Sequence, residues 1–149
     1  MDNITLKKAS FADIGSIIQV ESKLTGSETC HAIIDKSEWV KELSKSIVYL
    51  IMHKGIVVGD ASYELKDGGS AYISGLMVVP EFQKKGIGTA AMKVIMEELE
   101  NRTRIELAVH PENEPALKLY KKLGFSIESQ KENYFGDGQP RLIMAKTQS

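Results

Sequence analysis

The chain has 149 residues, of which 42% are hydrophobic and 26% are charged, a composition typical of one folded globular domain. Its 19 Lys and Arg residues nearly balance its 20 Asp and Glu residues, which argues against a domain that binds nucleic acid. The single cysteine, Cys30, excludes an intramolecular disulfide and a zinc site made of several cysteines. Without a secretory signal or an apolar run of about 18 residues, the sequence predicts one cytoplasmic domain over 1–149, with no metal and no membrane contact.

The spacing of apolar and turn-forming residues predicts an alternation of strands and helices along the chain. Strands are expected at 4–8, 47–52, 56–65, 71–79, 105–109, 125–134 and 142–146. Helices are expected after Ser10, over 35–43, after Gly88 and after Asn113, and a loop is expected at 25–34. Tight turns at 54–55 and 66–69 join three of the strands, so we predict an α+β fold with a mostly antiparallel sheet.

The most informative segment lies between the strand at 71–79 and the helix that follows it. Lys84 and Lys85 precede Gly86-Ile87-Gly88-Thr89, and the two glycines open the helix. Successive N–H groups that no side chain covers, at the positive end of a helix dipole, can bind an anion. The segment therefore predicts a cradle for a pyrophosphate, although a glycine pair alone also fits a turn that needs positive φ.

The same glycines fit the dinucleotide-binding pattern G-x-G-x-x-G/A, with Ala91 at its last position. That pattern should follow its strand at once, in a βαβ unit of a parallel sheet. Here residues 80–85 intervene, and hairpin turns link the preceding strands. We therefore rank a dinucleotide-binding domain last among the interpretations.

Two motifs together resemble a known family. Gln83-Lys84-Lys85-Gly86-Ile87-Gly88 resembles the Q/R-x-x-G-x-G/A signature of the GNAT superfamily of N-acetyltransferases. Residues 113–125, NEPALKLYKKLGF, resemble that family's second block, N-x-x-A-x-x-[LF]-Y-x-x-x-G-F. The expected elements also agree with a GNAT-like fold of about seven strands and about four helices around a central mixed sheet, in the order β-α-α-β-β-β-α-β-α-β-β.

The resemblance implies an enzyme that moves the acetyl group of acetyl-CoA to a primary amine by direct attack in a ternary complex. The strand before the signature would splay from its neighbour at a bulge near Gly75. The implied acetyl-CoA site comprises backbone groups of the pantetheine-binding strand, N–H groups of the pyrophosphate cradle and one residue of the next helix: Leu76, Met77, Val78, Lys84, Lys85, Gly86, Ile87, Gly88, Thr89 and Asn113.

The resemblance also makes Tyr120 the general acid that protonates the leaving thiolate. A phenol of pKa about 10 can protonate a thiolate whose thiol has a pKa of about 8.5, by analogy with cysteine. Without the motif, Tyr120 is more simply a buried aromatic residue on an amphipathic helix. The N–H of Val78 is expected to stabilise the oxyanion, and direct attack leaves Cys30 as a passive thiol.

The general base is where the sequence departs from the ribosomal-protein N-terminal acetyltransferases, the branch that it resembles. That branch carries a proton-accepting Glu at the position of Ala108. Because side chains alternate along a strand, Glu106 and His110 point to the same side as Ala108 and are candidate bases. Proton loss through waters is the third alternative. The missing Glu keeps a second function open, a catalytically silent acyl-CoA binding module that regulates a partner.

The resemblance places the acceptor pocket between residues 21–39 and residues 134–141. Acidic residues there would attract a cationic amine such as a polyamine or a lysine side chain, although exposed helices often carry such charges without that role: Glu21, Glu28, Asp35 and Glu38. Tyr134 and Phe135 would form an aromatic wall. The implied partner is a small-molecule or peptide amine, and a homodimer is frequent in the family.

Overall fold

The structure, a computed structural model, describes residues 4–148. Its strands and α-helices, in chain order, are β1 (Ile4–Lys8), α1 (Ile14–Ser22), α2 (Lys36–Lys45), β2 (Ile47–His53), β3 (Ile56–Leu65), β4 (Ser70–Val78), α3 (Ile87–Glu98), β5 (Arg104–Val109), α4 (Glu114–Lys122), β6 (Ser126–Lys131) and β7 (Arg141–Thr147). Short 3-10 turns precede α1, join β3 to β4 and follow β4. The predicted element order is confirmed.

The strands form one seven-stranded sheet in the order β1-β2-β3-β4-β5-β7-β6. Neighbouring strands are antiparallel except for β4 and β5, which are parallel. This one parallel pair arises because α3 carries the chain over the sheet between β4 and β5, as a crossover connection requires. The predicted α+β fold with a mostly antiparallel mixed sheet is confirmed.

Polar side chains set the ends of two elements that differ slightly from the prediction. The helix predicted over 35–43 begins at Lys36, because the carboxylate of Asp35 accepts the N–H of Ser37 and caps it. The strand predicted over 125–134 ends at Lys131. There the chain turns, since Asn133 has a φ of 50° and its side-chain oxygen accepts the N–H of Gly138.

Helices cover both faces of the sheet and bury separate sets of apolar side chains. On one face, α3 places Met92 and Ile95 against Ile105 and Leu107 of β5 in the larger core cluster. On the other face, a smaller cluster joins α1 and α2 to β2, with Ile14, Ile17, Trp39, Val48 and Leu50. Among residues 4–148, no helix is both long and apolar enough to cross a membrane.

The close approach of β3 to β4 generates a prediction about stability. Gly59 pairs with Val78, and a Cβ at Gly59 would collide with the carbonyl oxygen of Met77. We expect Gly59→Ala to lower the free energy of unfolding by about 1–3 kcal/mol, because the two strands must move apart. Urea unfolding measures this change.

The matched control is Gly15→Ala in α1, where an added Cβ would meet no atom within 4 Å. An Ala in a helix is more stable than a Gly by about 0.5–1 kcal/mol, so this variant should be as stable as the wild type or more so. Equal free energies of unfolding for the two variants would contradict the predicted strain at Gly59.

Candidate active site

The two parallel strands part in the middle of the sheet. β4 pairs with β5 only from Ser70 to Ile73. The register between β3 and β4 then shifts, because Ser62 pairs with Gly75 whereas Tyr63 pairs with Ile73, which leaves Ser74 as a bulge. Beyond the bulge, residues 76–78 pair with β3 alone among the described residues. The edge that they turn toward β5 is therefore open.

A cavity of about 670 Å³ lies at this opening. It extends from α1 and α2, past β4, to the N-termini of α3 and α4. Most of the site residues predicted from the sequence line it: Leu76, Met77, Val78, Lys84, Gly86, Ile87, Gly88, Thr89, Asn113 and Tyr120. The structure thus brings together residues that the sequence distributes over a strand, a loop and two helices.

Backbone conformation shapes the end of the cavity at α3. Gly86 has a φ of 80° and is the N-cap of α3, and Lys84 has a φ of 62°. The side-chain amide of Gln83 donates to the carbonyl oxygen of Val78 at 2.9 Å, which connects this loop to the end of β4. A Cβ at Gly88 would lie 3.7 Å from Leu76, so the absent side chain leaves room between the helix and the strand. The first N–H groups of a helix have no partner within it, and here they border the cavity.

Tyr120 lies on the buried face of α4 and is 7% exposed. Its ring packs edge-to-face on Phe125, with 6.0 Å between the ring centroids. Burial raises the pKa of Tyr120, and the neighbouring Cys30 raises it further. The phenol is therefore protonated at neutral pH, as a proton donor must be. At the start of α4, the side-chain oxygen of Asn113 accepts the N–H of Ala116 as a cap, so its amide nitrogen is the group left to donate.

The two candidate bases from the sequence occupy different surroundings. Glu106 does not line the cavity, and its carboxylate accepts a hydrogen bond from Arg104 at 2.9 Å. His110 does line the cavity, but its Nε2 lies 2.9 Å from the side-chain oxygen of Gln139 and its Nδ1 accepts the N–H of Glu112. Ala108 borders the cavity without a group that could accept a proton.

The structure adds a pair of buried carboxyl groups that sequence reasoning did not bring together. Glu21 on α1 is 2% exposed, Asp60 on β3 is 1% exposed, and both line the cavity. Burial raises the pKa of Glu21, and burial together with Glu21 raises the pKa of Asp60. The sequence alone could have indicated Asp60, because an Asp within the apolar run 56–61 is unusual in a strand.

A cluster of side chains joins the α1–α2 loop to the β6–β7 loop at the other end of the cavity. The ring of Phe135 stacks on His31 with 4.8 Å between centroids, and the guanidinium of Arg141 lies 5.0 Å from the ring centroid. Arg141 also donates to Asp137 at 3.0 Å. Phe135 lines the cavity as predicted, whereas Tyr134 lies 3.4 Å from the hydroxyl of Tyr72 and is not part of its lining. Of the predicted acidic surface, Glu21 and Glu38 line the cavity.

Comparison with known proteins identifies the family. The profile of the Acetyltransferase (GNAT) family matches residues 17–125, which is well over half of the chain. The chain belongs to this family. The GNAT resemblance and the N-acetyltransferase class predicted from the sequence are thereby confirmed, and the comparisons give no support to the silent acyl-CoA binding module.

The chain is also similar to individual N-acetyltransferases. It is 34% identical over 77 residues to an N-alpha-acetyltransferase of Sulfurisphaera tokodaii, an alignment that covers 50% of this chain and 46% of that relative. It is 27% identical over 158 aligned positions to an N-alpha-acetyltransferase of Saccharolobus solfataricus, covering 97% of this chain and 93% of the relative. The structure is also similar to that of the ribosomal-protein-S18-alanine N-acetyltransferase of Escherichia coli, with a TM-score of 0.82 and 21% sequence identity. The superposition covers 98% of this chain and 94% of that protein, so the two share a fold.

The Asp137–Arg141 contact generates a prediction about pH. Partial burial opposes ionisation of Asp137, but the N–H of Gln139 and the Arg141 guanidinium outweigh it and lower its pKa. A carboxylate with a lowered folded-state pKa stabilises the fold above its unfolded-state pKa, and this contribution is lost as the pH falls through the folded-state value. We therefore expect Asp137→Asn to lower Tm at pH 7, and the difference from the wild type to shrink below about pH 4.

Thermal unfolding monitored by circular dichroism between pH 3 and pH 8 tests this expectation. Asp67→Asn, which neutralises an exposed carboxylate in the turn between β3 and β4, is the matched control and should leave Tm nearly unchanged. A loss of Tm that is constant over the whole pH range would mean that the charge of Asp137 contributes nothing.

Proposed function

We propose that this chain transfers the acetyl group of acetyl-CoA to a primary amine, by direct attack of the amine on the thioester. The observation that carries the proposal is one cavity that borders the open edge of β4, the N-terminus of α3 and the Tyr120 phenol. Bound acetyl-CoA would supply an activated acetyl thioester. The residues fit this co-substrate, because an open strand edge suits the amides of the pantetheine arm and exposed N–H groups suit a pyrophosphate.

The proposed acetyl-CoA site extends along β4 and into α3. Backbone groups of Leu76, Met77 and Val78 would pair with the pantetheine arm as a further strand does. The N–H groups of residues 84–89 would hold the pyrophosphate, with Gly88 leaving the room that the phosphates need. The Lys84 and Lys85 side chains add positive charge, although Lys85 does not line the cavity. Asn113 would donate from its amide nitrogen.

Two groups of the chain would act on the reacting atoms. The backbone N–H of Val78 would donate to the oxyanion that forms when the amine attacks, since Val78 lies on the open edge of β4. Tyr120 would donate its phenolic proton to the departing thiolate, and its raised pKa keeps that proton in place until then. Both groups line the cavity that the two substrates would enter, so direct attack would need no covalent acetyl-enzyme.

The amine acceptor would enter from the side of α1 and α2. Glu38 lines that part of the cavity and would attract a cationic group, whereas Glu42, which also lines it, is paired with Lys45 at 3.6 Å. The aromatic ring of Phe135 bounds it, and the stacking on His31 and Arg141 holds that ring in place. A small-molecule or peptide amine fits these surroundings. A cytoplasmic location and a homodimer remain predictions.

The direct test measures thiol release from acetyl-CoA with separate pools of acceptors. The pools are N-terminal peptides, lysine peptides, polyamines, amino sugars and free amino acids. Release above the rate without acceptor supports the proposal, and the active pool names the acceptor class. Absence of release in every pool, with coenzyme A still bound, would favour a sensor of acyl-CoA over an enzyme.

Tyr120→Phe tests the general acid. We expect kcat to fall about 100-fold or more with little change in KM for acetyl-CoA, because the variant keeps the ring but loses the proton that the thiolate needs. Steady-state thiol release with the active acceptor measures both constants. Tyr49→Phe removes a phenol that donates to Glu98, outside the cavity, and should retain wild-type kcat. Equal kcat values for Tyr120→Phe and Tyr49→Phe would mean that Tyr120 is not the proton donor.

Gly88→Leu tests the cradle. A Cβ at this position meets only ordinary contacts, whereas a longer side chain would fill the space between α3 and β4. We expect the Kd for coenzyme A to rise at least tenfold in Gly88→Leu and to change little in Gly88→Ala. Isothermal titration calorimetry measures both values. Wild-type affinity in Gly88→Leu would exclude this helix end as the pyrophosphate site.

A further inference from the structure

The cavity wall formed by β5 lacks a free proton acceptor for the incoming amine. A lysine-like amine has a pKa of about 10, so at neutral pH it arrives as an ammonium ion and must lose a proton before it attacks. Ala108 has no titratable group, Glu106 is paired with Arg104, and both ring nitrogens of His110 are engaged. Apart from proton loss through waters, the acceptor of that proton must lie on another wall of the cavity.

The Glu21–Asp60 pair is the strongest candidate on the opposite wall. The two side chains come from α1 and β3, and both are almost fully buried. One oxygen of Glu21 accepts the N–H of Ile33 at 2.9 Å. No group among residues 4–148 hydrogen-bonds to the buried Oδ2 of Asp60. An unpartnered carboxyl oxygen at a cavity wall is costly unless something that enters the cavity hydrogen-bonds to it.

The sheet register places this pair beside the strand on which the thioester is proposed to lie. Asp60 and Met77 are direct partners between β3 and β4, so their side chains point to the same face. Leu76 and Val78 alternate to the opposite face, where they approach Gly88 of α3. An amine that enters from the α1–α2 side therefore meets the carboxyl pair before it reaches the open edge of β4.

The charges around the pair favour one shared proton. The pKa of each carboxyl is raised, chiefly by burial, and the neighbouring Glu21 raises the pKa of Asp60 further. Besides the pair, the charged and titratable side chains that line the cavity are Cys30, His31, Glu38, Glu42, Lys45, Tyr72, Lys84, His110, Tyr120 and Arg141. Of these, His31 acts on Glu21 and favours its ionised form, as the Ile33 N–H also does. Of the two, Glu21 therefore loses its proton more readily than Asp60.

We propose that the Glu21–Asp60 pair accepts the proton that the acceptor's ammonium group must lose before attack. One N–H proton moves from the ammonium to the ionised pair, which becomes neutral, and the freed electron pair of nitrogen forms a bond to the thioester carbon. The C–S bond then breaks, and the thiolate takes the Tyr120 proton. The nitrogen gives its second proton to the Tyr120 phenolate, and the carboxyl pair returns its proton to solvent. This role rests on the proposed function.

Glu21→Gln and the double variant, which combines Glu21→Gln with Asp60→Asn, test the role kinetically. We expect kcat to fall about 100-fold or more in Glu21→Gln and in the double variant, since neither retains a readily ionised carboxyl at the pair. In the double variant only the unprotonated amine reacts, so kcat/KM should rise about tenfold per pH unit toward the amine's own pKa. The wild type should instead show a plateau. Glu64→Gln, on β3 but outside the cavity, should behave as the wild type.

A second readout needs no turnover. Carboxyl groups with raised folded-state pKa values bind more protons in the folded chain, so their contribution to stability declines as pH rises from about 4.5 through those values. We therefore expect the Tm of the wild type, without acetyl-CoA, to fall relative to that of the double variant between pH 5 and pH 8. Because Asn and Gln keep the size of the buried side chains, the double variant should remain folded.

The outcomes separate this role from the proposed function. A slow double variant that high pH rescues, with an unchanged Kd for coenzyme A, supports the pair as proton acceptor. Wild-type kcat and a wild-type pH profile in the double variant would overturn the role while leaving acetyl transfer intact. A loss of kcat that high pH does not rescue would assign the pair a structural role and would also overturn it. No turnover by the wild type with any amine would overturn both proposals.

Discussion

The parting of β4 from β5 is the constraint on which the rest of the site depends. The strands run parallel for only four register pairs, and the bulge at Ser74 turns the remainder of β4 away. A strand inside a sheet normally forms backbone hydrogen bonds along both edges. An open edge in the middle of a sheet instead leaves N–H and C=O groups without hydrogen-bond partners. Here the open edge faces a cavity, so its unpaired backbone groups are accessible to a molecule that enters the cavity.

The two faces of the sheet give the two ends of the cavity opposite electrostatic character. On the α3 face, a helix N-terminus and Lys84 favour an anion. On the α1–α2 face, Lys45 and Arg141 are each paired with a carboxylate, and Glu38 and the buried Glu21–Asp60 pair favour a cation. The open edge of β4 lies between them, so an anionic donor and a cationic acceptor would approach the same strand from opposite sides. Such an arrangement suits transfer of a group between two substrates held in one complex.

The end of the cavity proposed to bind the acceptor depends on contacts between segments that are far apart in the chain. His31 lies in the α1–α2 loop, whereas Phe135 and Arg141 lie at the β6–β7 loop, and their stacking closes the cavity there. In the same α1–α2 loop, the N–H of Ile33 donates to Glu21, and the carbonyl oxygen of Ile33 accepts the indole N–H of Trp39. Changes in this loop would therefore alter the acceptor pocket and the buried carboxyl pair together, while leaving β4 and α3 in place.

Local patterns in the sequence determined most of the fold and the α3 end of the cavity, where we propose that acetyl-CoA binds. Strand and helix periodicity, the hairpin turns and the motif around Gly86 and Gly88 depend on residues near each other in the chain, and the structure agrees with them. The proposed proton acceptor could not be predicted in the same way. Glu106 shares a strand face with Ala108, but Arg104 engages it, and Glu21 and Asp60 meet only because α1 packs across β3. Which carboxyl groups are buried together is decided by tertiary packing, because their burial and pairing depend on segments about 40 residues apart.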